Sequence, residues 1–306
     1  MDVERQRISS GNCIFGSYLM IRTPLSTVVG GAFWTPGATV IGGTSKKTFD
    51  QPIQSLFANN EQGFVYDPND LSTMFQDAAG TIPVTAVGQP VGIILDKSGR
   101  NNHARQTTSA SRPILRKNAI TGANYLEFDG FDDYFVVLRD NLKFLHDGTG
   151  ATGFVGFKPS GFTVYHALLS TGNLAITTSV GYALAQDDRF WNRLILNMVA
   201  NGSGTMHVNN TYDSGIASAN PYVVSFKNQI STHALRLSGA EVLNSSTESG
   251  APNTSVSSYH LWIGRSPSGF AMHGNLYGML CVNRLTTASE TLAIEKELAK
   301  RAGVTL

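Results

Sequence analysis

Cysteine is nearly absent from this chain. Cys13 and Cys281 are the only two in 306 residues, and they stand near opposite ends. A disulfide framework needs more of them at closer spacing. Two unpaired thiols in a chain that matures in a reducing compartment are the expectation. Charge is also scarce. Charged residues make up 15% of the chain and the formal net charge is +1. There is no clustered basic patch, so nucleic acid is not an expected partner. No run of like charge marks a solvated tail. No apolar run reaches the ~20 residues of a membrane-spanning helix, so no membrane span is expected. Residues 1–22 carry Asp2 and Glu4, and their short apolar stretch is broken by Gly16 and Ser17. That is a poor secretion signal. The sequons at Asn201, Asn209, Asn244 and Asn253 then read as chance in a chain rich in Asn, Ser and Thr.

Recognisable catalytic arrangements are missing too. The seven histidines are scattered, and none pairs at the spacing of a helix-borne zinc site. No Gly-x-Ser-x-Gly elbow occurs. Gly42-Gly43-Thr44-Ser45-Lys46-Lys47-Thr48 looks like a phosphate loop only superficially. It lacks the first glycine at the required distance, and no βαβ unit surrounds it. No internal repeat, heptad array or low-complexity tract is present.

What the chain does have is glycine, 31 residues, and a hydrophobic content of 42%. A chain of this length buries roughly three quarters of its unfolded surface, so a core needs no covalent staples. Residues 1–63 have weak periodicity and many glycines. They read as an extended N-terminal arm with too few core residues to fold alone. Residues 64–306 read as one β-sandwich domain. Asp67 and Pro68 suit the cap and first position of a short helix near 68–76. Strands are expected at 90–95, 125–128, 134–138, 154–157, 162–169, 174–184, 194–200, 206–209, 222–226, 234–237, 259–263 and 276–282. The sequence Asn201-Gly202-Ser203-Gly204 suits a hairpin turn. Many short strands separated by turn residues predict a mainly β fold, an antiparallel two-sheet sandwich of jelly-roll type. A C-terminal helix is expected near 287–302. Thr287 and Glu290 have capping-box spacing, and Gly303 can take the left-handed stop.

Two segments carry a resemblance. One runs from Asp67-Pro68-Asn69-Asp70-Leu71 through Phe75-Gln76-Asp77 to Asp96-Lys97-Ser98-Gly99-Arg100-Asn101-Asn102-His103-Ala104. The other is Leu126-Glu127-Phe128-Asp129-Gly130-Phe131-Asp132-Asp133-Tyr134. Together with Gly274-Asn275-Leu276-Tyr277-Gly278 and the closing helix, they resemble bacteriophage virion proteins with a laminin G-like, concanavalin-like domain. The resemblance spans about residue 61 to the C-terminus. It implies a non-enzymatic structural protein of the virion, assembled in the host cytoplasm. It implies docking to other virion proteins through the arm, and a homo-oligomer, with a trimer favoured. A second expectation is a carbohydrate-recognition module that touches a host surface glycan.

The side chains offer three candidate chemistries. Glu127 and Asp129 alternate along one strand, as paired glycosidase carboxylates do. Phe131 occupies the third acidic position, so turn acids are the preferred reading and no enzyme is expected. Asp129, Asp132 and Asp133 are hard oxygen donors in one loop. They are the only metal candidates, for calcium, and no other cofactor is expected. Sugar binding needs aromatic platforms beside polar groups. Asp187, Asp188, Arg189 and Trp191 form the most site-like loop for it, with Tyr165, Tyr182, Tyr259 and Trp262 as further aromatics. Trp262 is expected in the core and Trp191 partly exposed.

Overall fold

The fold is that of a computed structural model, which describes residues 47–138, 141–161, 165–173, 179–187, 195–201, 206–212, 216–217, 219–242, 245–248 and 250–306. The chain divides into two compact units, Met1–Gln51 and Pro52–Leu306. Nearly all described residues belong to the second.

The second unit is a two-sheet antiparallel sandwich. The strands are β1 (Gly63–Tyr66), β2 (Met74–Phe75), β3 (Ile93–Ile94), β4 (Ala104–Arg105), β5 (Ile114–Lys117), β6 (Asn124–Asp129), β7 (Phe135–Val137), β8 (Ala151–Pro159) and β9 (Tyr165–Ser170). Then come β10 (Val180–Asp187), β11 (Ile195–Asn201), β12 (Met206–Tyr212), β13 (Tyr222–Gln229), β14 (Thr232–Leu237), β15 (Ala240–Glu241), β16 (Ser245–Glu248), β17 (Leu261–Ile263) and β18 (His273–Val282). One sheet runs β15-β14-β13-β8-β18-β6-β5, with β1 also paired to β18. The other runs β16-β12-β11-β10-β9-β17-β7-β4-β3-β2.

Period-two patterning explains the layers. In β7 and β17, Phe135, Val137, Leu261 and Ile263 are buried, while Val136 and Trp262 between them are half-buried. Successive side chains leave opposite faces of a strand, so these four point inward. Tyr182 of one sheet stacks on Phe226 of the other at 4.9 Å. Cys281 is buried in this core, and burial pushes its thiol well above the usual range. Cys13 lies outside the described residues.

Strand β8 has almost no exposed residue. Its second face is covered by helix α2 (Ala288–Ala302), which packs on β8, β13 and β18. Ile294, Leu298, Ala299 and Ala302 are its buried apolar residues. Glycine in the strands lets the helix come close. A Cβ at Gly156 would lie 3.4 Å from Leu298. The helix is the expected one. Thr287 and Glu290 form the reciprocal capping box, and Gly303 ends it at φ 83°.

Two expectations are corrected. The segment 68–76 is not a helix but a single 3-10 turn, Leu71–Thr73, followed by strand β2. The Asp67 carboxylate does not cap that turn. Its Oδ1 accepts the Asn69 N–H at 2.9 Å and the Arg301 guanidinium at 2.5 Å. Met74 and Phe75 pair with Ile94 and Ile93 instead of continuing a helix, so sheet pairing outweighs a weak local preference. Within the segment read as an extended arm, residues Lys47–Leu56 form a helix, α1, and Ile53 and Leu56 are buried. Residues 1–46 lie outside the described residues.

Arg301 ties α2 to the exit of β1 through buried Asp67, which Lys97 also approaches at 3.4 Å. Removing one partner strands a buried charge. Arg301→Met is expected to lower stability by about 3 kcal/mol, read by chemical denaturation. Lys97→Met should cost less, because Lys97 is the more distant partner.

Candidate functional site

The site is built from two neighbouring pieces of the ten-stranded sheet. The first is the loop from Asp96 to His103, which joins β3 to β4. Asp96 is buried and organises it. Its Oδ1 accepts the N–H groups of Val65 and Ser98, both at 2.8 Å. Its Oδ2 accepts the Ser98 hydroxyl at 2.6 Å and the Asn102 N–H at 3.0 Å. Asn102 then donates its side-chain amide to the Gly63 carbonyl at 2.7 Å, and the Tyr66 hydroxyl donates to the Asn102 carbonyl. His103 Nδ1 accepts the Asp96 N–H at 3.0 Å. A neutral imidazole bonded this way carries its proton on Nε2. Burial, with Arg105 nearby, holds the His103 pKa below its ordinary value, so the ring is neutral at pH 7.

The second piece is the outer face of β4, β7 and β17. Arg105, Val136 and Trp262 are consecutive cross-strand partners there. Directly opposed side chains share a face, so the three form one row on the side away from the core. Trp262 stacks on Tyr134, with ring centroids 4.6 Å apart and planes 12° apart. The Arg265 guanidinium lies 5.5 Å from the Tyr134 ring centroid, within cation–π range. The two pieces enclose a cleft of about 430 Å³, with Asn101, His103, Arg105 and Thr107 on one side and Tyr134, Val136 and Leu138 on the other. Leu138 is 68% exposed at its lip. The volume falls in the usual range for small-ligand sites.

Next to Tyr134 lies the connection from β6 to β7. It brings the three predicted metal candidates together. One carboxylate oxygen from each of Asp129, Asp132 and Asp133 lies within 4.8 Å of the others. The hydrogen bonds are those of a tight turn. Asp129 Oδ1 accepts the N–H groups of Phe131 and Asp132 at 2.8 and 3.2 Å. Asp133 Oδ2 accepts the Asp129 N–H at 3.0 Å, and Asp132 accepts the Ser111 hydroxyl at 2.7 Å. Gly130 turns the chain at φ 86°, and a Cβ there would sit 2.7 Å from His273. Calcium takes six to eight oxygens, and the described cluster supplies three carboxylates. Burial, then the charges of Asp129, Asp132 and Glu127, raises the Asp133 pKa to about 7.

Among the described residues, Glu127 and Tyr182 do not line the cleft. Glu127 Oε2 accepts Arg116 Nε in a half-exposed ion pair at 2.8 Å. Asp188, Arg189 and Trp191 lie outside the described residues. Only the backbone of Asp187, at the end of β10, is described. Tyr182 is wholly buried. Trp262, expected in the core, sits instead on the outer face of its strand. The alternation Leu261-Trp262-Ile263 already implied that. Sequence reasoning also missed Asn101, His103, Arg105, Thr107 and Tyr134 as a lining. Their signal was the dense run of polar side chains from Asn101 to Thr107 beside an alternating strand.

No known family model matches the sequence, and no curated protein is significantly similar to it. Among solved structures, Trypanosoma rangeli sialidase is similar at TM-score 0.49 and 14% identity, over 85% of this chain and 38% of that one. The binding domain of botulinum neurotoxin serotype D is similar at 0.49 and 13%, over 75% and 51%. The CBM40 of a Ruminococcus gnavus IT-sialidase, bound to α2,3 sialyllactose, is similar at 0.45 and 13%, over 59% and 97%. The chain spans about a third of the length of the sialidase chains it matches. No residue of this chain takes a role from these likenesses.

The Asp133 shift has a stability consequence. An unfolded aspartate ionises near pH 4, whereas the folded one holds its proton to about pH 7. Over that window the unfolded state binds fewer protons, so this group's contribution falls as pH rises. Asp133→Asn keeps an oxygen for the Asp129 N–H and removes the charge. Its melting temperature is expected to exceed wild type at pH 8, with the gap closing toward pH 4.

Proposed function

We propose that this protein binds carbohydrate, without catalysis, in the cleft between the Asp96–His103 loop and the outer face of β7. The observation that carries the reading is the placement of the Tyr134–Trp262 pair. Tyr134 lines the cleft with His103, Arg105, Thr107 and Asn101, and its stack on Trp262 fixes the ring. Sugars present C–H faces that pack on aromatic rings and hydroxyls that need fixed donors and acceptors. Aromatic side chains give large contact area in a definite geometry, and few convergent polar groups set orientation. Both kinds of group stand here on a scaffold held by buried hydrogen bonds. The paired-acid alternative is not favoured, since Glu127 is occupied by Arg116 and Asp129 by its own turn.

A glycan array with purified protein tests the reading. Binding of a defined set of glycans is expected. Tyr134→Ala should weaken it by roughly tenfold, about 1.4 kcal/mol, while the core-facing neighbours Phe135 and Val137 keep the fold. An array without hits above background would count decisively against carbohydrate binding.

A virion assembly role is a separate proposal, compatible with this one. Its support is that the resembling motifs sit at scaffold positions, namely Asp67 in its ion pair, Asp96 in its loop and Asp129 in its turn. Sedimentation equilibrium should then give a trimer, and a monomer at every concentration would contradict it.

A further inference from the structure

We propose that the cleft selects saccharides carrying a carboxylate, with Arg105 as the residue that reads the charge. The inference rests on the carbohydrate-binding reading and narrows it to one substrate class. Arg105 is an exposed cation among the lining residues, and among the described residues no carboxylate lines the cleft. The acids closest in sequence are engaged elsewhere. Asp96 spends both oxygens on β1 and its own loop, Asp132 accepts from Ser111, and Asp133 accepts the Asp129 N–H. Arg265 adds a second guanidinium beside Tyr134.

The geometry matches an acidic sugar better than a neutral one. Arg105 Nη1 donates to the Ala78 carbonyl at 2.5 Å. It is the one hydrogen bond the guanidinium makes among the described residues, and it leaves Nε and Nη2 for a ligand. Guanidinium groups recognise carboxylates through paired parallel hydrogen bonds. Arg105 and Trp262 flank Val136 from the strands on either side. Two strand spacings separate them, roughly 10 Å. A sugar ring packed on Tyr134 and over Val136, both of which line the cleft, reaches Arg105 with a substituent and not with the ring itself. His103, neutral with its proton on Nε2, and the Thr107 hydroxyl add donors on the same side. An anion with several acceptor oxygens satisfies that donor-rich wall, whereas a neutral hydroxyl would leave most of the donors unmatched.

The test is an array bearing sialylated and uronate-containing oligosaccharides beside their neutral parent chains and sulfated relatives. Wild-type protein is expected to bind the carboxylated members and to leave the neutral parents near background. Arg105→Gln should lower that binding by roughly 10- to 100-fold, the range for a charge-assisted bond. Arg105→Lys, which keeps the charge without the fork, should recover part of it. A melting curve for each variant separates loss of recognition from loss of fold. If Arg105→Gln unfolds, a steep weakening of wild-type binding between low and high salt is the remaining expectation. Equal binding of acidic and neutral members, or hits confined to sulfated ones, would overturn this inference and leave the carbohydrate reading standing. An array with no hits at all would remove both.

Discussion

The buried carboxylate of Asp96 is the constraint on which the cleft depends. One side chain accepts four hydrogen bonds from Val65, Ser98 and Asn102. Three of these donors lie within its own loop and one lies on β1. A buried charge without such partners would be costly. With them, the same charge fixes the loop's path and its attachment to the neighbouring strand. His103 is oriented by the backbone N–H of that same residue. The polar wall of the cleft is thus positioned by a group that does not itself line it.

The two sheets divide the labour. The eight-stranded sheet is covered on both sides at β8, β13 and β18, by the core and by helix α2, and β8 and β18 are almost fully buried. The ten-stranded sheet is covered on one side at β4, β7 and β17, and its other side carries the row Arg105, Val136 and Trp262. A strand with one free face alternates buried and accessible residues. That alternation places an aromatic and a cation on the surface while their neighbours hold the core. The proposed site lies on a face that the helix leaves uncovered.

Much of the fold was legible in the sequence. The turns, the short alternating strands and the capping box of α2 predicted an antiparallel sandwich closed by a helix, and that architecture is present. The strands missed were short. β2, β4 and β15 have two residues each, and such elements exist only through their partners. The misread helix at 68–76 shows the same principle, since its capping residue was drawn into an ion pair 234 positions away. Of the site, the acids of the β6–β7 turn were recognised as a group and do converge. The aromatic judged to be core, Trp262, is a surface residue.

The sequence by itself determined the layered β architecture, the turn at Gly130 and the limits of the closing helix. Each of these follows from local periodicity, backbone freedom or capping within a few residues. Only the tertiary structure decided which polar residues share a cleft. Arg105 of β4 and Tyr134, just before β7, line it together, and Trp262 of β17, 157 positions from Arg105, fixes Tyr134 by stacking; no local rule relates them. Strand order brings them together, and strand order is set by the burial of inward-facing side chains on the opposite surface of the same sheet.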